Sequence, residues 1–290
     1  MQVKVAVIPT AGLGTRFLPI TKAVPKSMLP IIDRPTIDYI IDEALDAGIE
    51  EIIIVTSHNT DVIEAHFSEN KELEERLLAD GKKQLYDIAI STRTRAKVTF
   101  VKQTVLNGLA GAILCAENQI AGRPFALLLG DEIIYTPKNG TPCIKQLCNC
   151  YEKTGKSVIA TMKVSDNDVC KYGNLGIKAD GEIKSVYAMK EKPDNANKLS
   201  NYAIIGRYVL GGEIWDEIKK LTQKGSEIIL TDALEKLAVN DKLVATEFDG
   251  VRYDVGDKFG YVTATVEYAL KNPALSQSVA SFLTHLVKGN

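Results

Sequence analysis

An excess of either charge is missing from this chain. Its 35 Lys and Arg face 37 Asp and Glu, a formal charge of −2, and no long run of Lys or Arg occurs. Such a surface offers no electrostatic footprint for DNA, RNA or an anionic bilayer. No stretch approaches the roughly 18 apolar residues of a membrane span, and the opening residues lack the apolar core and small-residue cleavage site of a secretory signal. Neither nucleic acid nor membrane is expected as a partner, and the protein is expected in the cytoplasm. Cysteine is also sparse: Cys115, Cys143, Cys148, Cys150 and Cys170 form an odd set with no Cys-x-x-Cys pair. That pattern excludes a disulfide frame or a cysteine zinc site and fits reduced thiols. Cys148 and Cys150, two residues apart on an expected helix, would point to different faces as buried or inert thiols.

What is present is ordinary globular material, 45% hydrophobic and 25% charged over 290 residues. Val3–Pro9, Ile52–Thr56, Val98–Lys102 and Phe125–Leu129 are short β-branched runs, apolar on both faces, as in strands covered on both sides. Between them Thr36–Ala47, Asp61–Phe67, the charged Lys71–Leu85 and Leu109–Glu117 carry helical periodicity. The alternation implies right-handed βαβ units and a parallel sheet. After Gly140 the texture changes to strands at Ser157–Val164, Ile183–Lys190 and Tyr202–Leu210, with a turn at Asp180-Gly181, then helices at Gly212–Leu221 and Thr231–Val239. Leu243–Phe248 reads as a further strand, and Lys258–Leu270 and Ser276–Val287 as closing helices, the last with Val279, Phe282, Leu283 and Leu286 on one face. The expected fold is α/β, with a Rossmann-like, mixed and mostly parallel central sheet flanked by helices, an added lobe and C-terminal helices. Residues 1–290 read as one domain, with lobes at about 1–135 and 136–256 and a helical region at about 257–290.

The most informative stretch is Pro9-Thr10-Ala11-Gly12-Leu13-Gly14-Thr15-Arg16-Phe17-Leu18-Pro19, continued by Pro25-Lys26-Ser27-Met28-Leu29-Pro30. It follows the first strand of a parallel sheet, where small residues let backbone N–H groups close on an anion. Phe17 occupies the place of the third Gly in a dinucleotide fingerprint. Gly155-Lys156-Ser157 has Cys150 where a Walker motif needs Gly, and it leads into a strand. A phosphate loop with its own cations, Arg16 and Lys26, remains.

This string resembles the sugar-1-phosphate nucleotidyltransferases, most of all the bacterial branch that joins UTP to glucose 1-phosphate. The resemblance continues in order through Gln103 with Gly108-Leu109, Leu129-Gly130-Asp131, Glu191-Lys192-Pro193, Ala203–Tyr208, Glu227–Ala233 and Tyr253–Tyr261. It implies that Ala11, Gly12, Gly14 and Thr15, with Gln103 and Gly108, bind the nucleotide. Arg16 and Lys26 would hold the triphosphate, and Lys192 the sugar phosphate. Glu191, Gly173 and Gly206 would meet the sugar, and Asp131 and Asp254 would bind Mg²⁺. It also implies a homodimer or homotetramer. Ser27 stands where the family has an acidic residue, and Gly108-Leu109-Ala110-Gly111-Ala112 departs from its usual loop. Tyr172-Gly173-Asn174-Leu175-Gly176 departs as well, so Gly176 is an alternative to Gly173. Another nucleotide, such as a thymidine triphosphate, another sugar phosphate, or a non-catalytic homologue thus stand as alternatives.

The residues suit these roles chemically. A phosphate nucleophile with a second pKa of ~6 is already mostly ionised at neutral pH, so positioning and charge neutralisation dominate and no general base is needed. The three histidines, His58, His66 and His285, lie outside the matched motifs. His58 is expected to be a polar loop residue.

Overall fold

The computed structural model describes residues 2–57, 61–179, 181–223 and 225–288. Its first strand, β1 (Val5–Pro9), sends Val5 and Val7 to one apolar core and Ala6 and Ile8 to another. This is the double burial that a run apolar on both faces demands. β2 (Pro30–Ile31) and β3 (Arg34–Pro35) make a small hairpin, and β4 (Glu51–Thr56), β5 (Lys97–Lys102) and β6 (Phe125–Leu128) complete a parallel group with β1. β7 (Glu132–Tyr135) leaves this sheet to pair with β13 (Val251–Asp254). β8 (Ser157–Lys163), β9 (Gly173–Ala179), β10 (Ile183–Glu191), β11 (Tyr202–Leu210) and β12 (Leu243–Thr246) build the remainder.

Nine strands form one sheet in the order β5-β4-β1-β6-β11-β8-β12-β10-β9. From β6 onward its pairings are antiparallel except β8 with β12. One sheet thus runs through both lobes. On one face pack Gly108–Cys115, Ile214–Lys219 and Leu230–Val239; on the other Thr36–Asp46, Asp61–His66 and Cys143–Thr154. A third cluster of Ile31, Ile133, Tyr253, Val255 and Ala264 seats Lys258–Lys271 against β2, β7 and β13.

Several segments differ from expectation. The charged Lys71–Leu85 stretch is not one helix, because Asp80–Lys82 intervenes with Gly81 at φ 68°, and a second helix spans Lys83–Thr94. β7, β9 and β13 were not anticipated: two are four residues long and start or end on acids, and the third holds two glycines. His58 and Asp180 lie outside the described residues. Among the described residues no helix is long and apolar enough to cross a membrane. Cys143, Cys148 and Cys150 are buried on one helix, and burial pushes the Cys148 thiol up to about 12 and Cys150 to about 11. Both stay protonated at neutral pH.

In the middle of β11, Arg207 is completely buried and forks onto Glu43 of Thr36–Asp46 at 2.8, 2.9 and 3.1 Å. Breaking a buried pair leaves one charge uncompensated, which costs about 3–5 kcal/mol. Glu43→Gln is expected to lower the urea unfolding free energy by that order. A loss below about 1 kcal/mol would show the pair to be replaceable.

Candidate active site

β1 lies between β4 and β6, so the strand order reverses there and the carboxyl ends open a crevice, the usual ligand position in such sheets. Thr10 fixes the start of the following loop by donating from its N–H and Oγ1 to the Val55 carbonyl at 2.8 and 3.0 Å. Gly14 takes φ 61°, a left-handed value that favours glycine, and its carbonyl accepts from Thr21 Oγ1 at 2.8 Å. Ala11, Gly12, Gly14, Thr15, Lys26, Gln103, Gly108 and Asp131 line one cavity of about 660 Å³. Their sequence separation spans the first four parallel strands, and the common edge is what gathers them.

At one end of this cavity the Gln103 side chain is held by donation from Nε2 to Asn107 Oδ1 (3.1 Å) and the Gly108 carbonyl (3.3 Å). Gly108 has φ 90°, and a Cβ there would lie 2.9 Å from Glu227 Cβ and 3.0 Å from the Ile228 carbonyl oxygen. The approach is fixed by the Ile228 N–H, which donates to the Asn107 carbonyl at 2.7 Å.

The charged end holds Lys26 and Asp131 at 2.5 Å. Burial alone would raise the Asp131 carboxyl, but the Lys26 ammonium overcomes it and holds the group below the ordinary carboxylate value. Asp254 shifts the opposite way, raised by burial and by Glu132 and Asp131 against the pull of Arg252. The Cβ position of Gly256 would be 3.0 Å from Asp131 Oδ2 and 3.1 Å from Asp254 Oδ1, so the two carboxylates converge on one point. Among the described residues no group of three or more His, Cys, Asp or Glu is placed to hold a metal. Two converging carboxylates beside an open cavity still suit Mg²⁺, which keeps several waters and takes one or two protein carboxylates. Arg16 is exposed and stands outside the cavity wall, its Nη1 donating to the Gly256 carbonyl at 3.4 Å. Ser27 is buried with no partner for its hydroxyl.

A second cavity, about 380 Å³, holds Gly173, Glu191, Lys192 and Gly206 and shares Leu109, Leu129 and Glu227 with the first. β10 ends at Glu191, and Lys192 turns out of it at φ 42°, so these neighbours escape strand alternation and both reach the cavity wall. Glu191 Oε2 accepts from Thr231 Oγ1 at 2.6 Å, and Lys192 Nζ lies 3.5 Å from Glu191 Oε1. Gly173 faces Glu191 across the ladder, whereas Gly176 sits under the Tyr187 ring and away from the cavity. Gly206 lines the cavity, but its N–H is donated to Glu132 Oε2 (3.0 Å) and its carbonyl accepts from Leu129. A Cβ on Gly206 would meet the Leu129 side chain at 2.8 Å, so close packing already accounts for this glycine.

Reading the motifs passed over Glu43, Glu132, Thr231, Tyr172 and Arg252, which hold the candidate residues in place. The signal for Arg252 was a lone arginine between Val251 and Tyr253, a pattern that Arg207 repeats in the apolar strand β11.

The profile of the family described as nucleotidyl transferase matches residues 5–271. The chain belongs to that family. A UTP–glucose-1-phosphate uridylyltransferase of Staphylococcus epidermidis is 46% identical over 287 residues, covering 98% of this chain and 99% of that protein. Among solved structures, a UDP-glucose pyrophosphorylase complexed with UDP-glucose superposes with a TM-score of 0.84 at 34% identity, covering 93% of this chain and all of that one. A UTP-bound enzyme of the same kind from Acinetobacter baumannii reaches 0.88 at 33% identity, covering 98% and 99%. The membership makes the chain an enzyme of the nucleotidyltransferase class.

Lys26→Met tests the charged end of that site. With the ammonium gone, burial is opposed only by a backbone hydrogen bond and the more distant Arg252, so the Asp131 titration, followed by carboxyl ¹³C NMR, is expected to move up. An unmoved titration would mean that another group holds it down.

Proposed function

We propose that this chain transfers a uridylyl group from UTP to glucose 1-phosphate, forming UDP-glucose and pyrophosphate. The observation that carries this reading is the pair of abutting cavities, one with the glycine loop, Lys26 and Asp131, the other with Glu191 and Lys192. The names of the relatives support the choice of nucleotide and sugar.

In this reading Ala11 and Gly12 offer backbone groups to the base beside Gln103 and Gly108. Gly14 and Thr15 frame the phosphate turn, and Lys26 and Arg16 meet the triphosphate. Arg16 would leave the Gly256 carbonyl to do so. Glu191 accepts from sugar hydroxyls over Gly173, and Lys192 meets the sugar phosphate. An oxygen of that phosphate attacks the α-phosphorus in line, a P–O bond forms, and the bond to pyrophosphate breaks. Asp131 and Asp254 would hold Mg²⁺, which would supply charge neutralisation on the phosphates. The nucleophile is already ionised, so no side chain has to take its proton. The reading extends to a homodimer or homotetramer, supported by Phe282 and Leu286, which stay exposed on the helix Ser276–Lys288 while Val279 and Leu283 are half-buried. It extends also to a reducing cytoplasm, supported by five free cysteines.

UTP, dTTP, ATP and GTP against several sugar 1-phosphates, with released pyrophosphate as readout, test the assignment. UTP with glucose 1-phosphate is expected to react fastest, and only with Mg²⁺. A faster reaction with dTTP would replace the nucleotide, and UDP-glucose binding without any pyrophosphate release would make the chain non-catalytic. Lys26→Ala is expected to cut kcat by about 10²–10³-fold, the scale of removing one group that neutralises developing charge.

Gly108→Ala probes the base end separately. A left-handed conformation costs a non-glycine residue about 1–3 kcal/mol, and the added methyl must push Glu227 and Ile228 away. UTP affinity by calorimetry is expected to fall about tenfold or more, and unchanged affinity would detach this turn from nucleotide binding.

A further inference from the structure

Arg252 joins the carboxylate of Asp254 to Glu132 and Tyr172, two residues of the second cavity wall. It lies on β13, with its side chain 9% exposed. Its Nη2 and Nε grip the two oxygens of Glu132 at 2.8 and 3.0 Å, and Nη2 also stands 3.4 Å from Asp254 Oδ2. Its Nη1 donates to the Tyr172 hydroxyl at 3.2 Å, and the guanidinium covers the Tyr172 ring at 5.2 Å. Glu132 follows Asp131 in the chain. Tyr172 precedes Gly173, and its carbonyl accepts the Lys192 N–H at 3.1 Å. One planar cation therefore touches the segment behind Asp131, the side chain of Asp254, and the turn that carries Lys192.

We propose that Arg252 is a positioning residue that couples the metal carboxylates to the sugar-phosphate cavity. The proposal rests on the metal and substrate reading given above and extends it to a residue outside the substrate contacts. Asp254 divides its two oxygens: Oδ2 faces Arg252, and Oδ1 accepts from the Gly256 N–H at 3.0 Å on the side toward Asp131. Without the guanidinium, Lys26 would still face Asp131, but Glu132 and Asp254 would keep only the backbone N–H groups of Gly206 and Gly256, and Asp254 Oδ2 would lose its cation. The turn at Tyr172 would lose its tie to the same strand. A lysine retains the charge but lacks the planar fork that reaches Glu132, Asp254 and Tyr172 together.

The test uses the ratio of UTP dissociation constants without and with Mg²⁺, measured on the full chain. Binding of Mg²⁺ to UTP in water is common to every variant, so differences in the ratio report the protein. Arg252→Lys and Arg252→Met are expected to shrink the ratio by about 10–100-fold, the usual effect of removing a group that orients metal ligands, while metal-free UTP affinity changes little. Both are also expected to raise KM for glucose 1-phosphate. Tyr172→Phe, which cuts only the branch toward the sugar side, should raise that KM and leave the ratio alone. Should the methionine variant fail to fold, by circular dichroism, the lysine variant decides. An Arg252→Lys protein with the original ratio and KM overturns the proposal, as does one that loses metal-free UTP binding in proportion, which would mark a purely structural role. A ratio of one in the unsubstituted protein overturns the metal reading itself, and the role of Arg252 with it.

Discussion

The buried pair of Arg207 and Glu43 is the contact on which the site depends. Arg207 lies in β11, where the parallel half of the sheet gives way to antiparallel pairings, and no water reaches it. Such a charge is tolerable only with full compensation. Glu43 supplies it, and also accepts the Ile144 N–H at 3.0 Å, placing a carboxylate at the amino end of Cys143–Thr154 where the helix dipole favours it. The remaining donors of Arg207 go to the Gly206 and Glu132 carbonyls at 3.0 and 2.9 Å. The Glu132 side chain then accepts the Gly206 N–H and takes the Arg252 fork. A charge fixed in the core thus sets, through two carboxylates and two arginines, where Asp131 and Asp254 stand.

How much of this a sequence can disclose depends on the range of the interaction concerned. β1, β4 and β6 are legible because each buries both faces, whereas β5, also expected to be covered on both sides, is an edge strand whose Val98, Phe100 and Val101 are only half-buried; β11 is legible to the residue because it is apolar throughout save Arg207 and Gly206. The phosphate loop is legible because its chemistry is local: small residues, three cations and three prolines within about 20 positions. The pairing of β7 with β13 was not, because it joins residues some 120 apart whose patterns are too short to signal a strand. Glu132 lies opposite Asp254 in that ladder, and only this register brings the Arg252 side chain diagonally onto it. The choice between Gly173 and Gly176 likewise turned on a register, since only the former lies opposite Glu191.

The near-neutral total charge conceals a separation by place. Lys26 and Lys192 line the two abutting cavities, while Asp131, Glu132 and Asp254 gather where β7 and β13 start and end. Lys26 bridges the two groups through Asp131. Because it is paired before any ligand arrives, neither charge is presented bare to a low-dielectric pocket, and each is held in a single rotamer.

That pairing also bears on the proposed reaction. A cation bound at Asp131 and a triphosphate bound at Lys26 each take one partner of an existing ion pair, so either alone would leave the other charge uncompensated. Arriving together, they replace one close pair with two. The gain is therefore largest for a metal–nucleotide complex and small for either component. The same exchange frees the ammonium only when the phosphates are present to receive it, so its charge is spent on the reacting group and not on ground-state binding of a sugar phosphate alone. A site working this way would need no histidine, and Lys26 and Asp131 would keep their charges throughout.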